Sequence, residues 1–284
     1  MCEQSNKLYH HPMNVYRSIE EFHKDAPIIM TQGFFDGVHL GHQMLLQRVV
    51  DLAKQSHGES LVITYWPHPR VVLGDSVHST RLLSTLEEKI ELIEKCGVDH
   101  LLIIPFTKEF SQMTSIDFIH DVLVKRLGIS KFVIGYDHTF GKDRMGTYEE
   151  LVRESEKYGF EVEQFGRKEL DDVVLSSGLI RSAVMEGKVK EAAKYLGRCY
   201  SIRGTLTCTS RANTFDVQVD DPIKLIPANG EYEIRTELGD ETNQVLHIIG
   251  DREKPCLEVD ICFINKDTIC DQIEISIVDS YLKR

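Results

Sequence analysis

The stretch QGFFDGVHLGHQMLLQRVV, Gln32 to Val50, carries an apolar run through a glycine-bearing turn into a segment of helical periodicity, and sets His39 and His42 three residues apart where that helix opens. Side chains at i and i+3 of a helix point the same way. The first turn of a helix presents unpaired backbone N–H groups and the positive end of its dipole, so the ligand expected there is an anion. Two imidazoles that can donate hydrogen bonds at that place suit a phosphate whose equatorial oxygens gain negative charge in a transition state. Taken alone, the H-x-x-H pattern also fits a zinc pair lacking its third ligand, or two surface histidines at a helix start.

Outward from this stretch the chain alternates. Short runs rich in β-branched residues (IIMTQGF, SLVITYW, HLLIIPF, KFVIGY, FEVEQFG) are separated by amphipathic segments (HQMLLQRVVDLAKQ, TLEEKIELIEKC, SIDFIHDVLVKRLG, TYEELVRESEKYG). The pattern predicts an α/β fold, a parallel sheet with helices on both faces that binds ligands at the carboxyl ends of its strands. After SSGLIRSAVMEGKVKEAAKYLGRCY the texture changes to strand-like pieces (EYEIRT, VLHIIG, LEVDICFI, QIEISIVDSYL) parted by Asn-Gly, Gly-Asp and Lys-Asp turns, which predicts a small antiparallel barrel or sandwich. The division expected is a domain over 1–186, a connector helix within 187–203 and a second domain over 204–284.

Composition narrows the partners. A net charge of −12 gives no electrostatic footprint for nucleic acid or an anionic membrane, so a phosphate ligand has to be held by local donors. Seven scattered cysteines without a C-x-x-C pair fit reduced thiols, and neither a signal-peptide core nor a membrane span is present in the sequence. A cytoplasmic protein is expected. The sequence sets no oligomeric state.

A second phosphate-shaped signal lies far from the first. In LSSGLIRSAV, Ser176 and Ser177 precede an apolar helix with Arg181 one turn in. Serines in such a place are good helix caps, but two anion-binding patterns in one α/β domain are hard to explain as caps. GFFDGVHLGH together with SSGLIR resembles the nucleotidylyltransferase superfamily, with its H-x-G-H and serine/arginine elements. The closer resemblance is to the bacterial bifunctional riboflavin kinase/FMN adenylyltransferase family, also called FAD synthetase. It rests on Gly33, Phe35, Asp36, Gly37, Val38, His39, Gly41, His42 and Gln43; on Pro67, His68 and Pro69; on Gly135, Asp137, Phe140, Gly141 and Gly146; and on the junction YLGRCYSIRG.

The resemblance implies a Rossmann-like domain in which FMN phosphate attacks the α-phosphate of ATP, giving FAD and pyrophosphate with Mg²⁺ bridging the phosphates and no metal site on the protein. It implies that His39 and His42 act on the triphosphate and the developing charge, with Arg181, Ser176 and Ser177 on the β- and γ-phosphates. Gly33, Phe35, Asp36 and Gly41 fall on the ATP side. His68 and Asp137 fall on the FMN side, with Lys142 and Arg144 as loop cations or as members of a solvated loop. The family pattern S-S-T-R-I-R is here Ser176, Ser177, Gly178, Leu179, Ile180 and Arg181, one hydroxyl and one arginine short, which implies a weaker grip on polyphosphate.

The second domain resembles the family's riboflavin kinase module without its G-R-x-x-G-x-P-T-A-N run. At best Ala212 and Asn213 match the last two positions, with Ser210 and Arg211 in place of proline and threonine, while Glu258 stands where the kinase has its base. A cation in place of a hydroxyl ligand opposes Mg²⁺. The expectation is an adenylyltransferase with a barrel that has lost its kinase activity. The alternatives are a bifunctional enzyme, a non-catalytic flavin- or nucleotide-binding regulator, and another nucleotidylyltransferase. A chain ending near Arg203 would keep every residue assigned to adenylyl transfer.

Overall fold

The computed structural model describes residues 12–74, 81–136, 138–166, 169–170, 173–210, 213–236, 244–251, 254–260 and 272–281. They form two compact units that interleave along the chain. The first takes residues up to Phe35, from His42 to 74 and from Leu86 to 166; the second takes Asp36–Gly41, 81–85 and the described residues from 169 onward.

The first unit is built on a wholly parallel sheet. Its strands are β1 (Asn14–Tyr16), β2 (Ile28–Gln32), β3 (Glu59–Trp66), β4 (His100–Pro105), β5 (Lys131–Gly135) and β6 (Glu161–Phe165), in the order β1-β4-β3-β2-β5-β6. The central strands are buried on both faces. In β3 Leu61, Val62 and Ile63 are all at 0 % exposure, as expected of the continuous apolar runs of a covered parallel sheet. From β2 the chain winds outward to β3 and β4, then returns to β5 on the other flank of β2. Ligands of such sheets bind beyond the carboxyl ends of the strands where the order reverses. Gln32, the last residue of β2, leads into GFFDGVH at this reversal.

Helices α1 (Leu40–Gln55), α2 (Pro69–Leu73), α3 (Leu86–Glu94) and α5 (Tyr148–Tyr158) connect the strands. The expected helix over Ser115–Gly128 is a single α-helical turn, α4 (Ser115–Asp117), capped by Thr114, which widens to π-helix over Phe118–Arg126. Strand β1 escapes sequence reading because three residues, two of them exposed, carry no periodic signal.

The second unit holds the short ribbon β7 (Glu169–Leu170) and β8 (Val173–Val174), helices α6 (Ser177–Met185) and α7 (Val189–Leu196), and a closed antiparallel barrel. The barrel strands are β9 (Tyr200–Cys208), β10 (Thr214–Val219), β11 (Gly230–Arg235), β12 (Val245–Asp251), β13 (Lys254–Asp260) and β14 (Gln272–Tyr281), in the order β10-β13-β12-β11-β14-β9. Alternate residues point inward, Tyr200, Ile202 and Leu206 from β9 and Ile273, Ile275 and Ile277 from β14 among them. These share one apolar cluster with Ile180, Val184, Val189, Ala192 and Leu196 of α6 and α7. The sequence shows four of the six strands; β9 and β10 are obscured by threonines and a glycine. Arg203 lies inside β9, with its guanidinium on Glu274 of β14 at 2.8 Å, so a cut there opens the barrel. Among the described residues no helix is long and apolar enough to cross a membrane.

Candidate active site

The chain leaves β2 through a turn that ordinary residues avoid. Phe35, Gly37 and Val38 have φ of 48°, 76° and 38°. Glycine takes such values freely, but a β-branched valine there is strained, and strain of this kind persists only where surrounding contacts over-determine the backbone.

Asp36 supplies those contacts. Its side chain is 4 % exposed, and its Oδ2 accepts from Arg181 Nη2 at 2.7 Å. The other oxygen, Oδ1, accepts from the backbone N–H groups of Leu83 (2.9 Å) and Ser84 (3.2 Å). The Asp36 carbonyl accepts from Ser177 Oγ at 2.9 Å, and Gly37 N–H donates to Ser84 Oγ at 3.0 Å. Arg198 Nη2 donates to the Gly37 carbonyl at 2.7 Å. The turn is thus held from α6, from the segment before α3 and from the residues after α7. Arg198 was not singled out in the sequence, although it stands in the junction YLGRCYSIRG.

His39 follows the turn and is 4 % exposed. Burial pulls its imidazole from the usual 6.5 down to about 4, with Asp36 opposing and Arg198 assisting. The ring is therefore neutral near pH 7 and offers one N–H donor and one acceptor. It folds against the start of α1, where a Cβ on Gly41 would meet it at 3.2 Å, so position 41 has little room for a side chain. Ser176 caps α6, its Oγ accepting from Leu179 N–H at 3.2 Å. Both serine hydroxyls are engaged within the protein.

In the first unit, His42 is the third residue of α1 and meets Phe35 edge to face, ring centroids 5.2 Å apart. The Phe35 ring lies over Gly33. His68 caps α2, its Nδ1 accepting from Arg70 N–H at 3.2 Å, which places the neutral ring's proton on Nε2. Beside it lies an aromatic ledge beyond the ends of β2, β3 and β4. Phe34, 37 % exposed, has its ring 5.0 Å from His68, 5.5 Å from Tyr65 and 6.4 Å from Phe106. Neither Phe34 nor Phe106 was singled out in the sequence; the available signal was an aromatic residue just past a strand end. Lys142 and Arg144 are exposed on a short turn closed by the Phe140–Gly146 bridge, with Arg144 Nε donating to Thr139 Oγ1 at 2.8 Å. Asp137 lies outside the described residues.

Metal-ligating side chains come together elsewhere. Among the described residues one group of three is close enough to share an ion, Asp216, Cys256 and Glu258 of the barrel, and neither His39 nor His42 belongs to it.

A parallel sheet with a histidine-bearing helix start at its reversal defines a nucleotidyltransferase of Rossmann-like fold. Residues 21–179 match the FAD synthetase family, and the chain belongs to it. A bifunctional riboflavin kinase/FMN adenylyltransferase of Listeria monocytogenes is 31 % identical over 278 residues, which cover 94 % of this chain and 86 % of the relative. The protein of that name from Bacillus subtilis is 29 % identical, covering 89 % of this chain and 83 % of the relative. That from Escherichia coli is 31 % identical, covering 62 % of this chain and 56 % of the relative. A crystal structure described as a macrolide-efflux protein from Streptococcus pneumoniae shares the fold, with a TM-score of 0.83 at 23 % identity over 95 % of this chain and 91 % of that one.

Two outcomes follow from the geometry. Asp36→Asn leaves the Arg181 guanidinium, 15 % exposed, without its counter-charge; removing one partner of a buried pair costs about 3–5 kcal/mol, to be read by chemical denaturation. For His39, the unfolded chain takes up a proton below pH 6.5 that the folded chain refuses until about pH 4. Stability from this group is complete above 6.5 and falls as pH drops through that window, by about 3 kcal/mol in all. Unfolding free energy measured against pH should fall less steeply for His39→Gln than for the wild type, and equal slopes would assign the titration to another group.

Proposed function

We propose that the protein is an FMN adenylyltransferase that joins the AMP of ATP to FMN, giving FAD and pyrophosphate, and that its barrel does not phosphorylate riboflavin. The observation that carries the transferase reading is the neutral, buried His39 at the opening of α1, held by a strained turn that Asp36 and Arg181 fix. The FMN phosphate dianion is already a nucleophile near neutral pH. Its oxygen forms the new bond to the α-phosphorus while the bond from that phosphorus to the β-phosphate oxygen breaks, and pyrophosphate leaves with the electron pair. Alignment and charge stabilisation are what the protein has to supply.

In this reading His39 and His42 donate to phosphate oxygens as charge develops, and the first turn of α6, with Ser176, Ser177 and Arg181, faces the β- and γ-phosphates. Gly33, Phe35, Asp36 and Gly41 shape the ATP side. His68 and Asp137 take the flavin phosphate, Phe34 and Phe106, backed by the buried Tyr65, offer ring faces to the flavin, and Lys142 and Arg144 supply exposed cations. Among the described residues this site does not fit a protein-held Mg²⁺. That ion wants several oxygen ligands, and both oxygens of Asp36 already accept hydrogen bonds. Mg²⁺ therefore enters as the magnesium salt of ATP.

For the barrel, loss of kinase activity is supported by the tight β9–β10 hairpin. Cys208 pairs with Phe215, and Thr209 Oγ1 donates to the Thr214 carbonyl at 2.8 Å, so the hairpin ends where a glycine-rich flap would have to begin. Asn213 is exposed, while Arg211 and Ala212 lie outside the described residues. One observation favours the bifunctional alternative: Glu258 stands beside Asp216 and Cys256 in a group able to hold a metal ion.

His39→Ala or His42→Ala should lower turnover by roughly 10²–10³, or ~2.7–4 kcal/mol, with ATP affinity little changed. Normal turnover with weakened binding would remove them from the transition state, and stoichiometric zinc lost in these variants would replace the phosphate reading with a metal site. With Mg²⁺ and ATP, FMN should be converted to FAD and riboflavin should give no FMN; FMN formation abolished by Glu258→Gln would restore the bifunctional reading.

A further inference from the structure

Lysine is among the side chains least often buried, yet Lys224, in the segment between β10 and β11, is 4 % exposed. Its Nζ donates to the Leu83 carbonyl at 2.9 Å and lies 4.6 Å from the centre of the Tyr200 ring. The Leu83 carbonyl belongs to the peptide group whose N–H, that of Ser84, donates to Asp36 Oδ1 at 3.2 Å. The preceding peptide group repeats the arrangement. Its carbonyl, on Leu82, accepts from Leu225 N–H at 2.8 Å, and its N–H, on Leu83, donates to the same Asp36 oxygen at 2.9 Å. Two consecutive peptide groups thus run from a donor in the barrel segment at one end to the Asp36 carboxylate at the other.

Leu82 N–H also donates to the Ile223 carbonyl at 2.7 Å, and Tyr200 Oη donates to the Leu225 carbonyl at 2.6 Å, so this segment is itself fixed to β9. Hydrogen bonds in a chain polarise one another, and an ammonium at the carbonyl end makes the N–H at the far end a stronger donor. The ammonium is costly to bury. Backbone bonds already dock Leu82, and the ammonium adds its charge at the carbonyl end of the peptide group whose N–H holds the carboxylate paired with Arg181.

We propose that Lys224 is a positioning residue for ATP, acting through the Leu83–Ser84 peptide group and Asp36 on Arg181, so that the barrel sets the geometry of the triphosphate site whether or not it phosphorylates anything. The inference rests on the reading of Arg181 as a phosphate ligand in an FMN adenylyltransferase.

The test uses the full chain with Lys224→Met, Lys224→Arg and Lys224→Gln, measuring FAD formation against ATP and FMN separately and ATP affinity by calorimetry without FMN. Lys224→Met should raise KM and Kd for ATP about tenfold or more and leave KM for FMN within about twofold. Lys224→Arg, which keeps a cation, should recover most of the loss. Unchanged ATP parameters in folded Lys224→Met would overturn the proposal. So would equal losses for both substrates, or fewer active molecules with normal KM values, since those mark a merely structural role. If Lys224→Met does not fold, Lys224→Gln, which keeps a neutral donor for the Leu83 carbonyl but removes the charge, carries the same readout, weaker ATP binding supporting the proposal and unchanged binding overturning it. A wild type that binds ATP but makes no FAD would sink the adenylyltransferase reading while the calorimetry still decides the role of Lys224; a wild type that binds no ATP would sink both.

Discussion

A carboxylate taken almost wholly out of water must find donors for both oxygens within the protein, and the second unit is arranged around that demand at Asp36. Oδ1 takes two backbone N–H groups and Oδ2 takes a guanidinium, so each donor is fixed by its distance from a single buried group. The strained backbone of Phe35 to Val38 is possible because this network holds it, and His39 receives its place from the same turn, while burial keeps its ring neutral against the pull of Asp36. A protonated His39 would carry a second proton-bearing nitrogen into a buried space where Arg198 already acts against its charge. The neutral ring avoids this and still donates one hydrogen bond.

The two units solve burial differently. The parallel sheet covers both faces of strands that read as unbroken apolar runs, whereas the barrel closes on alternating strands and joins α6 and α7 in one core. Placing α6 with the barrel core means that Ser177 and Arg181 inherit the rigidity of the closed barrel. That arrangement ties the first turn of α6 to the barrel core irrespective of any chemistry of the barrel's own.

Much of this was legible in the sequence. The runs that became β2 to β6 announce themselves by length and β-branching, and His39 and His42 stand out because a glycine turn, an apolar strand and a helix start coincide around them. What could not be read is what depends on distance along the chain. Arg181 looks like a free cation in SSGLIRSAV, and its pairing with a residue 145 positions away has no local signature. Lys224 reads as an ordinary surface lysine. Ser176 is used as the cap that its local context suggests, while Ser177 reaches Asp36 instead. The π-widening after Asp117 leaves the amphipathic spacing nearly unchanged, so periodicity calls it an α-helix. Strands β9 and β10 were missed because their outward faces carry threonine and aspartate at positions that blur the alternation.

The interleaving of the units has a consequence for synthesis on the ribosome. Residues 36–41 and 81–85 emerge early but belong to a unit whose remaining described residues begin at 169. Domains that are continuous in sequence can fold as they leave the exit tunnel. Here the GFFDGVH turn has to wait, its carboxylate still in water, until Arg181 and then Lys224 have been translated. The nascent first half therefore cannot acquire a finished GFFDGVH turn ahead of the barrel, and the order of translation makes completion of the second unit's C-terminal part the last step in maturing that unit's own early-made turn.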